Sequence, residues 1–451
     1  MSRILRPAGG PCAGTARAPG DKSISHRVAL MGALATGTCR ARGWLDAQDT
    51  RRTLAAVVAL GARARLRDGA LTVDPGDFPP PCAPDAAGPD LPEVVLDCGN
   101  SATTARLLLG LLAGRRARAV LDGDASLRAR PMERVAAPLR RLGAAIEWLD
   151  RPGHLPARVS GRPLHGATVE LPVASAQVKS ALLLAGLSAD GPVTLTNCGA
   201  TRDHTERLLR LMGAGPVQAA GDGSALTSAP ARALAPFDLD VPGDPSSAAF
   251  LLAAALMAPG SAVTVRDVLI GPTRAGFWRV LQRMGARVAI APAPGAADAW
   301  EPTGAVTVSG GALRPFTIGP AEVPSLVDEL PLLAVIATQA EGVSAVTGAG
   351  ELRVKESDRL AAIAAGLRAL GADVDERPDG FAVRGPCALR ALVASGRGAL
   401  LRTGGDHRIA MALAVAALAA AGECRLDDDA CVAISFPGFF AELDSLRPRG
   451  R

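Results

Sequence analysis

The sequence predicts an α/β protein of two similar halves, each built from three small αβ units. Two observations carry this. The segment PGDKSISHRVALMGALATG at 19–37 returns as PGDPSSAAFLLAAALMAPG at 242–260, 223 residues further on. In both copies a turn leads into an apolar helix, with Ser near the start to accept from the free N–H groups of the first turn. Second, apolar helical runs end in LGA or MGA at 60–62, 142–144, 212–214, 284–286 and 370–372. Glycine there supplies a left-handed stop. The residues after it alternate as a strand does, as in ARVAI at 286–290 and ADVDE at 372–376. Five copies 70 to 86 residues apart imply six units with the last degenerate, a repeat too long for a helical solenoid. The boundary between halves falls near 238–242, just before the second PGD, with a further crossing near residue 20. The proline-rich segments 74–93 and 291–304 read as surface loops.

The composition narrows the function classes. Hydrophobic residues make up 48% of the 451 residues, which excludes a disordered chain. Aromatics are only 3%, with no Tyr, so stacking platforms for single-stranded nucleic acid are nearly absent. The net charge of +5 is spread out rather than gathered into a basic stripe. No nucleic acid partner is expected, while small anions fit. The eight Cys contain no CxxC pair and the five His are scattered, which predicts free thiols and no metal site. The apolar run 409–422 is shorter than a membrane span and the N-terminus lacks the order of a signal peptide, so the expectation is a cytoplasmic protein with no membrane partner.

Polar islands then mark the chemistry, in chain order. DKSISHR at 21–27 places Lys22, Ser23 and Arg27 at a helix start, where exposed N–H groups and the positive end of the dipole favour an anion. DCGNSATTAR at 97–106 puts Gly, Asn and Ser before the next helix. SLRARPMERV at 126–135 carries Arg128 and Arg130, with Pro131 expected at the first helical position. Ser175, Gln177 and Lys179 open a very apolar helix, and TRDHTER at 201–207 opens another, with Asp203 and Arg207 spaced as an i,i+4 pair. Asp328 and Glu329 precede Pro331 and an apolar run. ELRVKESDRL at 351–360 crowds Arg353, Lys355, Glu356, Asp358 and Arg359 together, with helical spacing expected to set Lys355 and Arg359 on one face. Asp406, His407 and Arg408 start the last such helix. Any one of these alone reads equally well as an ordinary capped helix with solvated charges. Together they suggest one cleft for a substrate with several negative charges, with Lys22, Lys355, Asp328 and Glu356 available for proton transfer.

Lysine usage sharpens this. Only three of the 49 basic residues are Lys, namely Lys22, Lys179 and Lys355, and all three lie inside polar islands. Arg replaces Lys where a solvated cation suffices, but only Lys can lose its proton at accessible pH. Lys22 and Lys355 are therefore read as functional, and Lys179 as support.

The ordered set PGDKSISHR, GNSATTAR, RARPM, SAQVKSALLLAGL, TRDHTERLL, LVDELP, ELRVKESDRL, GGDHRIAMA and SFPGFF, spread across essentially the whole chain, resembles the 5-enolpyruvylshikimate-3-phosphate synthases. That resemblance implies two similar domains, each of three βαβαββ units in an inside-out, barrel-like arrangement: 21–240 on the shikimate 3-phosphate side, and 1–20 with 241–451 on the phosphoenolpyruvate side, hinged near 20 and 240. It implies transfer of an enolpyruvyl group from phosphoenolpyruvate to the 5-hydroxyl of shikimate 3-phosphate by addition and elimination, without metal, cofactor or covalent enzyme adduct, in a monomer whose domains close. Lys22, Ser23, Arg27, Ser175, Ala176 through its backbone, Gln177, Arg202 and Lys355 would hold shikimate 3-phosphate. Lys22, Gln177, Arg130, Arg359 and Arg408 would hold phosphoenolpyruvate. Asp328 would take the 5-hydroxyl proton, and Glu356 with Lys22 would protonate the methylene carbon.

Two positions set the chain apart from the best-known branch of the family, which has Gly where Ala102 stands and Lys where Ile434 stands. Both resemble the second, glyphosate-insensitive branch, so the methyl of Ala102 is expected to exclude glyphosate. The competing readings are the sister transferase acting on UDP-N-acetylglucosamine, which needs a reactive Cys such as Cys82 or Cys98, and a non-catalytic anion or RNA-end binder, for which Asp328 and Glu356 would have no use.

Overall fold

The computed structural model describes residues 2–83, 91–172, 174–199, 201–215, 217–218, 224–231, 233–391 and 398–448. Residues 84–90 of the proline-rich segment, and Val173 within the stretch before Ser175, lie outside the described residues. The chain divides into two compact units, Gly20–Val241 and the combination of Met1–Pro19 with Pro242–Arg451.

Among the described residues each unit holds three open sheets, none closed into a barrel, and five of the six follow one plan. A parallel pair is extended by antiparallel strands. The segment from 168 to 228 is the plainest example: Thr168–Glu170, the helix Ala176–Gly186, Val193–Thr196, the helix His204–Leu211, then Val217–Gln218 and Leu226–Ser228. Val169 pairs parallel with Leu195, which pairs antiparallel with Leu226. The parallel step needs a helical crossover and the hairpin does not, so each of these five reads βαβαββ.

Two sheets draw their parallel strand from across the chain. Ala13–Arg17 precedes the first PGD helix in sequence but pairs with Ala262–Leu269. Asp238–Asp240 precedes the second PGD helix but pairs with Cys39–Arg42. The sixth sheet has Ala399–Leu401 parallel to Cys424–Leu426 and lacks the closing hairpin; Arg3–Leu5, from the other end of the chain, takes the antiparallel place instead. This is the physical form of the degenerate last repeat.

The LGA and MGA stops are real backbone reversals: Gly61, Gly143, Gly213, Gly285 and Gly371 have φ of +106°, +97°, +82°, +89° and +82°. Small residues let helices approach closely, as the aromatic-poor composition implies. A Cβ on Gly110 would stand 2.1 Å from the carbonyl oxygen of Ala181 on the neighbouring helix. In the other unit every residue of the helix Pro245–Met257 is buried, as is every residue of Leu330–Ala337. A helix apolar on all sides belongs in a core. Among the described residues, no helix is long and apolar enough to cross a membrane.

Three local expectations are corrected. The caps of the two PGD helices are the aspartates, not the serines: Asp21 accepts from the Ile24 N–H at 2.9 Å, and Asp244 from the Ser246 N–H at 2.8 Å. Carboxylates are the stronger acceptors and here also face the dipole. Pro131 does not open a helix, because the helix Glu133–Arg141 starts two residues later, after Met132. Lys355 and Arg359 do not share a helical face. The helix Arg359–Ala369 begins at Arg359, capped by Asp358, whose side chain accepts from Ala361 N–H at 3.0 Å. That Asx cap ends the pattern that sequence spacing alone extends backwards.

Candidate active site

In the unit Gly20–Val241, hydrogen bonds tie together the starts of several helices. Lys22, at the start of Lys22–Gly32, places Nζ 2.9 Å from Oδ2 of Asp49, which lies in the first turn of Gln48–Ala59. Arg27 is buried one turn later. Its Nε donates to Thr205 at 2.6 Å, one Nη to Ser180 at 2.7 Å and the other to the Ser23 carbonyl at 2.9 Å. It thereby joins three helices, and Arg202 Nη1 reaches Ser23 Oγ at 3.4 Å. Ser175 is the cap residue of Ala176–Gly186 without a side-chain cap bond, which leaves its hydroxyl uncommitted to that helix. Gln177 accepts from Arg106 at 2.5 Å and donates to Thr103 at 2.9 Å. Arg130 donates to Asn100 at 2.5 Å, beside Ser101 and Ala102 at the start of Ala102–Ala113. The bonds link Ser23, Arg27 and Arg202 in one group, Gln177 with Arg106 in a second and Arg130 with Asn100 in a third, while Ser175, Ala176 and Ala102 stand at helix starts; cations beside helix N-termini are a setting for anions.

Beneath it runs a buried chain. His26 Nδ1 meets Thr53 at 2.7 Å, Thr53 meets Thr104 at 2.6 Å, and Thr104 donates to Ser101 at 2.8 Å. Burial, and then the charges of Lys22 and Arg27, hold the His26 pKa well below its ordinary 6.5, so this imidazole is neutral near pH 7. Lys179 and Glu206, both buried, form an ion pair at 2.5 Å between the helices Ala176–Gly186 and His204–Leu211. The third lysine is therefore an internal brace. Asp203 and Arg207 do form the i,i+4 pair, at 2.8 Å.

The second set lies in the other unit. Arg359 is 1% exposed and touches three carboxylates: Asp406 at 2.7 Å, Glu356 at 2.5 Å and Asp328 at 3.4 Å. Burial alone would lower its pKa, but the attraction of Asp406, Glu356 and Asp328 outweighs that and raises it further, so the guanidinium is permanently charged. Arg408 lies 3.6 Å from the other oxygen of Asp328 and 3.4 Å from its backbone carbonyl. Asp406 also accepts from Ser357 and caps its own helix through the Arg408 N–H. A carboxylate flanked by two guanidinium groups can accept a proton, and the guanidinium groups can neutralise an anion. Lys355 does not join this cluster through an ion pair; its ammonium turns to Glu351 at 3.2 Å.

Sequence reasoning missed Asp49, Arg106 and the positioning part of Asp406. Arg106 closes the GNSATTAR motif and Asp406 opens DHR, so both had a signal. Asp49 had none, since DAQDTRRT reads like any charged helix start. Among the described residues no group of three or more His, Cys, Asp or Glu is placed to hold a metal ion. Burial first, then Asp97 and Asp122, push the Cys98 thiol up to about 12, and Cys82 is also raised, so neither is an activated nucleophile.

The family described as EPSP synthase (3-phosphoshikimate 1-carboxyvinyltransferase) matches residues 7–443. A 3-phosphoshikimate 1-carboxyvinyltransferase of Anaeromyxobacter sp. (strain Fw109-5) is 50% identical over 438 residues, 97% of this chain and 96% of that one. One of Synechococcus sp. (strain WH7803) is 46% identical over 441 residues, 98% and 97% of the two chains. The solved EPSP synthase of Acinetobacter baumannii aligns with a TM-score of 0.81 at 35% identity, over 99% of this chain and 98% of that one. The enolpyruvyl transferase NikO of Streptomyces tendae shares the fold, with a TM-score of 0.76 at 21% identity over 98% and 96% of the two chains.

Proposed function

This chain belongs to the EPSP synthase family and is a transferase, and we propose that it moves the enolpyruvyl group of phosphoenolpyruvate to the 5-hydroxyl of shikimate 3-phosphate, releasing phosphate. The observation that carries the reading is Asp328 lying between Arg359 and Arg408, with Glu356 on the same guanidinium. Lys22, Ser23, Arg27, Ser175, Ala176, Gln177, Arg202 and Lys355 are assigned to shikimate 3-phosphate. Lys22, Gln177, Arg130, Arg359 and Arg408 are assigned to phosphoenolpyruvate, with Ala102 bounding its space.

In the addition step the 5-oxygen bonds to C2 of phosphoenolpyruvate while Asp328 takes the hydroxyl proton. The π electrons take a proton at C3 from Glu356 or Lys22, giving a tetrahedral adduct with a methyl group. In the elimination step the bond from C2 to the phosphate oxygen breaks, a methyl proton returns to the carboxylate, and the enol ether forms. Cations fixed in advance stabilise the leaving phosphate without reorganisation. The same reading makes the protein a glyphosate-tolerant monomer of the cytoplasm serving the shikimate pathway.

Phosphate release measured with phosphoenolpyruvate and either acceptor tests it. Release is expected with shikimate 3-phosphate and none above background with UDP-N-acetylglucosamine. The opposite preference would overturn the assignment.

A further inference from the structure

The second PGD segment keeps the shape of the first but not its charges. At the offset of 223 residues, Pro245 stands for Lys22, Ser246 for Ser23 and Phe250 for Arg27. Phe250 is fully buried, edge-on to Phe439 with ring centroids 6.3 Å apart. This helix start therefore presents no cation to a ligand, and its polar groups are engaged within the protein.

Those polar groups are buried in a chain. Asp244, Ser246, Arg274 and Glu329 are 4%, 1%, 4% and 4% exposed. Arg274 Nη2 lies 3.1 Å from Asp244 and donates to Ser246 Oγ at 2.7 Å. Ser246 Oγ in turn donates to Oε1 of Glu329. Glu329 stands immediately before the helix Leu330–Ala337, with no side-chain cap bond, and is the residue next to Asp328. Its amide donates to the Leu326 carbonyl at 3.0 Å, and its carbonyl accepts from Leu333 at 2.9 Å. Side chain and backbone of Glu329 are thus both pinned, one residue from a carboxylate whose own contacts to Arg359 and Arg408 are long, 3.4 and 3.6 Å. At such separations a small shift of the backbone decides whether Asp328 stays between the two guanidinium groups.

We propose that Glu329, held by Ser246, which Arg274 holds in turn, is a positioning residue that sets Asp328 for proton removal. The second PGD copy thereby serves as an internal brace where the first serves substrates. A buried polar network contributes little net stability compared with apolar packing, but it permits only one geometry once every member is bonded. Placement of a reacting group to within an ångström is worth up to about 10²-fold in rate.

The proposal rests on Asp328 being the base, and the experiment separates the two. Steady-state kinetics of the full-length enzyme are measured for Ser246→Ala, Glu329→Ala and Glu329→Gln, with unfolding temperatures alongside. Ser246→Ala and Glu329→Ala are expected to lower kcat about tenfold or more, with both KM values within about threefold of wild type. Glu329→Gln keeps the acceptor oxygen and is expected to stay within about threefold in kcat. If Ser246→Ala does not fold, Ser246→Cys keeps the volume while weakening the donor, and is expected to lose kcat in the same direction. Lowered unfolding temperatures with unchanged kcat would overturn the proposal, as would KM increases that match the loss in kcat. Asp328→Asn tests the underlying reading: retained turnover there defeats the base assignment, whereas a dead Asp328→Asn beside a fully active Ser246→Ala defeats the positioning role alone.

Discussion

Nζ of Lys22 lies 2.9 Å from Oδ2 of Asp49, with the two side chains 14% and 8% exposed. The pair holds the ammonium at the head of its helix and is an anchor for a cation assigned to both substrates. Arg cannot reproduce it, because the planar fork needs a different approach and does not lose its proton. Lys22→Arg is expected to lower kcat about 10²-fold or more, the lower end of what a proton-transferring group contributes. Asp49→Asn leaves the ammonium in place without its charge partner and is expected to cost about tenfold in kcat/KM. Initial-rate kinetics with each substrate varied check both.

Ala102 is 7% exposed at the first position of its helix, beside Asn100 and Ser101. If its methyl limits the space beyond phosphoenolpyruvate, Ala102→Gly will lower the inhibition constant of glyphosate about tenfold or more while KM for phosphoenolpyruvate moves less, since one methyl group in a tight pocket discriminates by about 10- to 200-fold. A wild-type enzyme already sensitive and unchanged by the substitution would show that the methyl has no such part.

The Lys179–Glu206 pair predicts a stability effect. Oε2 of Glu206 is buried without a hydrogen-bond partner, so the carboxylate depends on the ammonium. Lys179→Met strands that charge and is expected to destabilise the unit by about 3–5 kcal/mol. Replacing both partners, Lys179→Met with Glu206→Gln, is expected to recover much of it. Denaturant unfolding of the single and double variants reads the difference; a single variant as stable as wild type would contradict the pair's role.

His26 predicts a pH dependence. Its folded pKa lies well below 6.5, mainly through burial and then through Lys22 and Arg27. The unfolded chain therefore binds a proton, from about pH 6.5 downward, that the folded chain refuses. Its contribution is fully present above that pH and is lost as pH falls toward the folded pKa. Thermal unfolding followed from pH 7.5 to 5.5 is expected to fall more steeply for wild type than for His26→Gln. Parallel curves would show that His26 is not the titrating group.

Thiol chemistry separates this enzyme from one that uses a reactive cysteine. With Cys98 pushed up to about 12 and Cys82 also raised, the thiolate fraction near neutral pH is small. Treatment with iodoacetamide at pH 7 is expected to leave kcat unchanged. Inactivation at the rate of Cys82 or Cys98 labelling would contradict that.

Much of the architecture could be read from repetition. The offset between 19 and 242 and the recurring LGA and MGA stops suggest two halves of repeated small αβ units, because a left-handed glycine after each helix leaves a mark in the sequence, whereas the βαβαββ order came only from the family resemblance. Strand exchange left none: nothing local in AGTAR at 13–17 says that it pairs with Ala262–Leu269, since register over such a separation is set by packing. Among the candidate site residues, those with unusual chemistry for their context stood out in the sequence, above all Lys22, one of three Lys in a chain with 46 Arg. Partners were not. Asp49, Arg106 and Glu329 are ordinary residue types, and only the folded arrangement distinguishes them from solvated charges on a helix.

The assignment of proton transfer to Asp328, Glu356 and Lys22 is tested most directly by turnover in D2O, followed by mass spectrometry of the product. In the proposed mechanism addition converts the methylene of phosphoenolpyruvate to a CH2D group and elimination removes one of its three hydrogens, so a large share of the enol ether carries deuterium at that carbon. Glu356→Gln is expected to lower incorporation and turnover together. Product formed in D2O without deuterium at the methylene carbon would contradict addition and elimination, and with it the roles given to these residues.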